Sequence, residues 1–190
     1  MTSLPFFTSR RERRLWLWTL LVVAAIYSTL GVVRPLAGIL REHGLLGGLF
    51  MLGMLLVGAA IFTQGLKTRP RGAEIYVALG VAAVYLLLLT RIATPEERTH
   101  LIEYGVVAVF IYEALTERAN HGRRVPMPAL LAIVAASLIG LVDESIQAFL
   151  PTRAYDVRDV LFNVLAALMA VAASAALAWA RRWRTRRQQG

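Results

Sequence analysis

Several ionisable or strongly polar side chains fall inside or at the edge of long apolar runs: His100, Glu103 and Tyr104, then Asp143, Glu144 and Gln147, then Asp156, Asp159 and Asn163. Arg91, Arg98, Arg153 and Arg158 lie in the short polar stretches between them. Three chemistries suit these residue types. Paired carboxylates can act as general acid and base when their surroundings separate their proton affinities. Asp or Glu with Asn or His can hold Mg²⁺ or Mn²⁺ through oxygen ligands beside a phosphate. Arginine presents a fork of donors that matches phosphate or pyrophosphate with two parallel hydrogen bonds. The chain has no cysteine, which removes thiolate metal sites, Fe–S clusters and disulfides from consideration. It also lacks H-E-x-x-H, a Gly-rich phosphate loop and a nucleophilic serine arrangement, so catalysis is the least supported of the three and no cofactor is expected.

The elements that must position these residues follow from composition. Of 190 residues, 57% are hydrophobic and 17% charged, with a mean hydropathy of +0.58. Soluble domains average about 45–50% apolar and about 25% charged, so this is neither a soluble globular domain nor a disordered chain. A helix of roughly 20 residues crosses the hydrocarbon core of a bilayer. Six runs approach that length: Leu15 to Val33, Leu45 to Leu66, Ala73 to Thr90, His100 to Leu115, Pro128 to Leu150 and Val160 to Ala180. All seven prolines fall outside these runs or at the first residue of one, where the missing N–H is harmless. The expected fold is an all-α polytopic membrane protein, a six-helix transmembrane bundle forming one domain over residues 1–190, with no soluble domain.

Orientation follows from alternate loops. Arg10, Arg11, Arg13 and Arg14, then Lys67, Arg69 and Arg71, then Arg118, Arg123 and Arg124, and finally Arg181, Arg182, Arg184, Arg186 and Arg187 make 15 of the 21 basic residues. Arg34, Arg41, Arg91, Arg98, Arg153 and Arg158 make up the rest. Both termini are therefore expected in the cytoplasm, in a multi-pass membrane protein. The +9 net charge is then a topology signal with lipid contact by the tails, and no nucleic-acid partner is expected. Leu15 to Val33 is too long for a cleaved signal and reads as a retained anchor. Trp16, Trp18, Tyr76, Tyr85, Trp179 and Trp183 read as interfacial aromatic belts. Gly44 with Gly48, and Ala166, Ala170, Ser174 and Ala178, have the four-residue spacing that permits close helix approach. Glu113 and Glu117 lie one turn apart, where Arg118 or Arg123 can neutralise them, and His43 and His121 read as solvated loop residues.

With this orientation, the polar residues of the last three runs all fall in the outer half of the membrane. An ionisable group at the bilayer centre costs roughly 2.5–3.5 kcal/mol on insertion scales, so each needs a partner or a role. Spacing of three or four puts His100 with Glu103 and Tyr104, Glu144 with Gln147, Asp143 with Gln147, and Asp159 with Asn163 on shared helix faces. Packed as neighbours, these helices would bring the polar stripes together around an outward-facing cleft.

The run Asp143-Glu144-Ser145-Ile146-Gln147-Ala148-Phe149-Leu150-Pro151-Thr152-Arg153, continuing through Asp156, Asp159 and Asn163, resembles the signature of the VanZ-like family of bacterial membrane proteins. That signature is roughly E-x-x-Q-x-F-x-P-x-R, then acidic residues and D-x-x-x-N at a helix start. His100 and Tyr104 are similar to the family's His-x-x-x-Tyr on a preceding span. The resemblance covers about residues 91–180. Two places depart from it: Ala166 and Ala170 stand where the family usually has glycines after the Asn, and Glu97 stands where a basic residue often precedes the His. The resemblance implies a cell-envelope role of the antibiotic-resistance type, the founding member being associated with resistance to the glycopeptide teicoplanin.

Three readings of the polar cluster follow. In the first, Arg153 binds the head group of an anionic lipid-linked or other envelope ligand, Glu144 and Asp159 orient its guanidinium, and Gln147 and Asn163 add neutral hydrogen bonds. Asp143, Asp156, His100, Glu103 and Tyr104 are further candidates, ranked second, for that lipid-binding site. In the second, the same groups form a structural ion-pair network, or the chain is an accessory subunit of a larger membrane complex. In the third, the cluster is a membrane-embedded acid/base or metal-assisted enzyme.

Overall fold

In a computed structural model, residues 6–30, 33–45, 47–49, 52, 72–91, 95–149 and 157–189 are described, some helix residues, His100 among them, by backbone alone. The described residues are helical with no strand: α1 (Arg10–Thr29), α2 (Val33–Glu42), α3 (Ala73–Arg91), α4 (Pro95–Asn120), α5 (Pro128–Gln147) and α6 (Val157–Gln189). The expected second span, Leu45 to Leu66, lies almost wholly outside the described residues.

Local sequence explains where the helices start and stop. Ser9 caps α1 by accepting the Glu12 N–H at 3.0 Å. α4 ends in a glycine motif: Gly122 adopts φ +81, its N–H reaches the Ala119 carbonyl, and the Arg123 N–H reaches that of Arg118. Pro128 then opens α5 at a position where no N–H is needed. α4 and α6 run past both ends of the apolar runs expected from sequence, and α1 starts before its run but stops short of Val33, at Thr29; charged residues at a span's ends keep helical hydrogen bonding where hydrophobicity stops.

Two sequence expectations need correction. Residues 34–44 were expected as a loop, yet Val33–Glu42 is helical. Leu36, Ile39 and Leu40 recur at helical spacing opposite Arg34 and Arg41, a pattern too short to register as a span. Gly44 was expected to permit close helix contact. It instead takes φ +68 and terminates α2, with the Leu45 N–H bonded to the Leu40 carbonyl at 2.8 Å, and nothing described lies within 4 Å of a Cβ built there or at Gly48.

The chain forms two compact units, Met1–Leu30 with Glu96–Ser174, and Gly31–Pro95 with Ala175–Gly190. In the first, α1, α4, α5 and the first part of α6 surround a core of Ile26, Val107, Ala108, Ile111, Ala132, Ala136, Ala167 and Val171. Contacts near the helix ends set their directions. The start of α1 meets the end of α4 through Arg11 and Glu117, and the start of α4 meets the end of α5 through Tyr104 and Asp143. The late residues of α5 meet the early ones of α6 at Gly140 and Asn163. Each of these pairs therefore runs antiparallel. In the second unit, buried Glu74 at the start of α3 lies 3.9 Å from Arg181, and Trp179 stacks on Trp183.

The first unit is built inside out relative to a soluble protein. The buried face of α5 carries Ala132, Ala136, Gly140, Asp143, Glu144 and Gln147, while Leu130, Val134, Leu138, Leu141 and Val142 are exposed. Small residues let helices approach when surrounding lipid is as apolar as the side chains. Among the described residues two helical stretches, Pro128–Gln147 and Val157–Trp183, are long and apolar enough to cross a membrane, and only 28% of an 18-residue apolar segment in each is buried, unlike the core helix of a soluble protein.

Candidate functional site

The buried stripe of α5 changes character along its length. Its first turns present Ala132, Ala136 and Gly140, and its last two present Asp143, Glu144 and Gln147, all three essentially without exposure. Their spacing of three and four residues keeps them on the face that the small residues began. α4 contributes buried Tyr104, whose O–H donates to Asp143 Oδ2 at 2.6 Å. Tyr27 of α1 donates its O–H to the Ile139 carbonyl at 2.8 Å, one turn before Asp143. α6 contributes Asn163, fully buried against Gly140: a Cβ built on that glycine would fall 2.8 Å from both Cβ and Nδ2 of Asn163.

The result is a polar layer near one end of the four-helix unit. Among the described residues Asp143 Oδ1 and both amide atoms of Asn163 have no hydrogen-bond partner, which is unusual, because buried polar atoms are almost always paired. Of the residues expected at a site, Glu144, Gln147 and Asn163 are thus buried on facing parts of α5 and α6, and Asp143 and Tyr104 join them directly. Asp159 is half-buried in the first turn of α6, Glu103 is half-buried on α4, and His100 is placed by its backbone in the first turns of α4. Arg153 and Asp156 lie outside the described residues. Among the described residues no group of three or more His, Cys, Asp or Glu is arranged to hold a metal ion.

A second polar cluster occupies the other end of the same unit, 14 residues along α4 from Tyr104 to Arg118, about 20 Å at the rise of an α-helix. Glu12 is fully buried there, accepting from the Thr8 N–H at 2.6 Å, the Thr8 hydroxyl at 2.7 Å and Arg118 Nε at 2.7 Å. Arg11 bridges Glu113 and Glu117 at 2.6 and 2.9 Å, and the Ser9 hydroxyl donates to Glu117 at 2.8 Å. The expectation that Arg118 or Arg123 neutralises Glu113 and Glu117 is therefore corrected: Arg11 does so, and Arg118 is committed to Glu12. His121, expected as a solvated loop residue, is exposed just past α4, with Nδ1 2.9 Å from the Glu117 carbonyl.

This cluster predicts an acid-labile end. Burial opposes ionisation of Glu12, but hydrogen bonds from Thr8 and Arg118 and the charge of Arg118 outweigh it and hold the carboxyl below its usual value. The Ser9 hydrogen bond, against burial, and then Arg11 do the same for Glu117. Depressed folded values stabilise the protein above the ordinary glutamate range, near 4.5, and that stability is lost as pH falls through the folded values. Melting temperature should therefore drop steeply below about pH 4.5, and less steeply in a Glu12→Gln, Glu117→Gln variant. An unchanged acid slope in the variant would assign the effect elsewhere.

With its described residues helical, two helices among them fit to cross a bilayer, and large apolar side chains turned outward, the chain has the makeup of an integral membrane protein. It belongs to the VanZ/LLP1 family, whose sequence profile matches residues 3–178. The match reaches well beyond the part that carries recognisable motifs, taking in the first half of the chain as well. Neither curated proteins nor solved structures gave a match.

Proposed function

We propose that this VanZ/LLP1-family protein is a six-span protein of the bacterial inner membrane, with both termini cytoplasmic, that holds the head group of an anionic, lipid-linked envelope ligand in its polar layer. The observation that carries this reading is Asn163, fully buried with neither amide atom satisfied by a described residue, next to a face bearing Asp143, Glu144 and Gln147. A structural network needs its polar groups paired, since an unpaired buried polar atom costs about 1–3 kcal/mol. The fully paired ionic cluster at the other end of the unit suits that structural role.

The basic-residue distribution supports the orientation, which places the polar layer in the outer leaflet. Reporter fusions test it directly: a fusion at Gly190 should report the cytoplasm, and one within residues 91–99 the outside. Equal cytoplasmic activity at both would discard the topology. Arg153 is the anion-binding residue of this reading, with Glu144 and Asp159 orienting it and Gln147 adding a neutral hydrogen bond. Arg153→Lys keeps the charge but loses the fork, so affinity for undecaprenyl phosphate in nanodiscs should fall about tenfold with folding intact. Wild-type affinity in Arg153→Ala would remove arginine from the site.

A further inference from the structure

The unsatisfied atoms of the polar layer define what kind of group can complete it. Asp143 Oδ2 is occupied by the Tyr104 hydroxyl, and Oδ1 is open. A carboxylate oxygen only accepts, so Oδ1 calls for a donor. Asn163 has an open carbonyl oxygen, which also calls for a donor, and an open NH₂ group, which calls for an acceptor. Asn163 packs on Gly140, and Asp143 follows Gly140 by three residues on the same buried face, a rise of about 4.5 Å. The open atoms of the two residues are therefore within the span of one small head-group fragment.

An ionised phosphate brings acceptors alone, and it would meet the Asp143 carboxylate with like charge. A metal cation would satisfy Asp143 and the Asn163 oxygen but would leave the Asn163 NH₂ without an acceptor. A hydroxyl group both donates and accepts, and neighbouring hydroxyls on one ring or polyol chain can serve Asp143 and Asn163 together. We propose that Asp143 and Asn163 form a hydroxyl-recognition subsite that takes the sugar or polyol part of the head group, so that the ligand is a glycosylated lipid phosphate rather than the lipid phosphate alone.

This subsite rests on the head-group reading above and gives it a substrate class. The subsite lies near the helix ends: Asp143 is about one turn before α5 stops at Gln147, and Asn163 less than two turns after α6 starts at Val157.

The test compares two probes on the full-length protein in nanodiscs, undecaprenyl phosphate and undecaprenyl phosphate-glucose. The wild type should bind the glucosylated probe about tenfold more tightly, the effect of leaving one or two buried groups unsatisfied without it. Asp143→Leu combined with Tyr104→Phe removes the acceptor and its donor together, leaving no polar group there for a hydroxyl to satisfy, and should reduce the preference towards one. Asn163→Leu should also lower the preference, and should it fail to fold beside Gly140, the ratio in Asp143→Leu, Tyr104→Phe decides alone. Equal affinity of the wild type for both probes overturns the subsite, leaving water as its occupant, without touching the head-group reading. Binding of neither probe defeats both, and a preference unchanged in Asp143→Leu, Tyr104→Phe overturns the subsite by assigning sugar recognition to other residues.

Discussion

Gly140→Ala should destabilise the protein, against the usual sign of that substitution. In a helix interior, alanine is favoured over glycine by about 1 kcal/mol, so without tertiary constraint the variant would melt higher. Here the added Cβ would stand 2.8 Å from Asn163 Cβ and Nδ2 and 3.0 Å from Cγ. A Cβ is fixed to its own backbone and cannot swing aside, so α5 and α6 would have to separate. Overpacking of this kind costs roughly 1–3 kcal/mol, enough to reverse the propensity gain. Gly80→Ala in α3 is the control, because nothing described lies within 4 Å of its added Cβ, and it should melt at or above the wild-type temperature. Gly140→Ala combined with Asn163→Gly exchanges the bulk across the contact and should recover much of the loss, giving a clear coupling energy. A Gly140→Ala variant that melts higher than wild type would mean the two helices do not meet there.

Much of the helical framework was legible because hydrophobic runs and proline placement need no tertiary information. The inward turn of Asp143, Glu144, Gln147 and Asn163 was legible for a similar reason, since residues three and four apart share a face whatever packs on it. Gly140 was not, although it stands three residues before Asp143. Its role depends on which residue of α6 lies opposite, and no spacing rule within one helix supplies that. α2 escaped notice because ten residues are half a span, and a search for bilayer-length runs passes over amphipathic segments of that size. Glu12 was the largest omission. Set in Arg10-Arg11-Glu12-Arg13-Arg14, it looks like one charge in a solvated basic tail. The available signal was local: Ser9 and Glu12 have the spacing of a helix-capping pair, which marks the start of α1 and draws that carboxylate towards the backbone. That it would also be buried against Arg118 depends on the antiparallel docking of α1 and α4, a contact between residues 106 apart in sequence.

Arg118→Ala should be the most damaging single change at that end of the unit. Glu12 has no exposure, and its two other donors, the Thr8 N–H and hydroxyl, are neutral. Deleting the guanidinium leaves a buried carboxylate without a counter-charge, which for a fully buried pair costs about 3–5 kcal/mol; with Arg118 itself 29% exposed, the lower end of that range is expected. The damage should extend to the preceding segment, since Arg118 also donates to the Phe6 carbonyl at 2.8 Å and sits 5.8 Å above the Phe6 ring. Protease cleavage near Phe6 should therefore accelerate alongside the fall in melting temperature. Arg118→Lys should be intermediate, because one ammonium cannot reproduce the directed bonds to both Glu12 and Phe6. Arg11→Ala provides the contrast: its side chain is 54% exposed, so its pairs with Glu113 and Glu117 are screened and the loss should stay under about 1 kcal/mol. Replacing Glu12 and Arg118 together by methionine should cost far less than Arg118→Ala alone, because a buried pair exchanged for apolar side chains leaves no charge stranded. If the double replacement is as damaging as the single, the penalty comes from lost packing of the arginine stem, and Glu12 is not the reason Arg118 is needed.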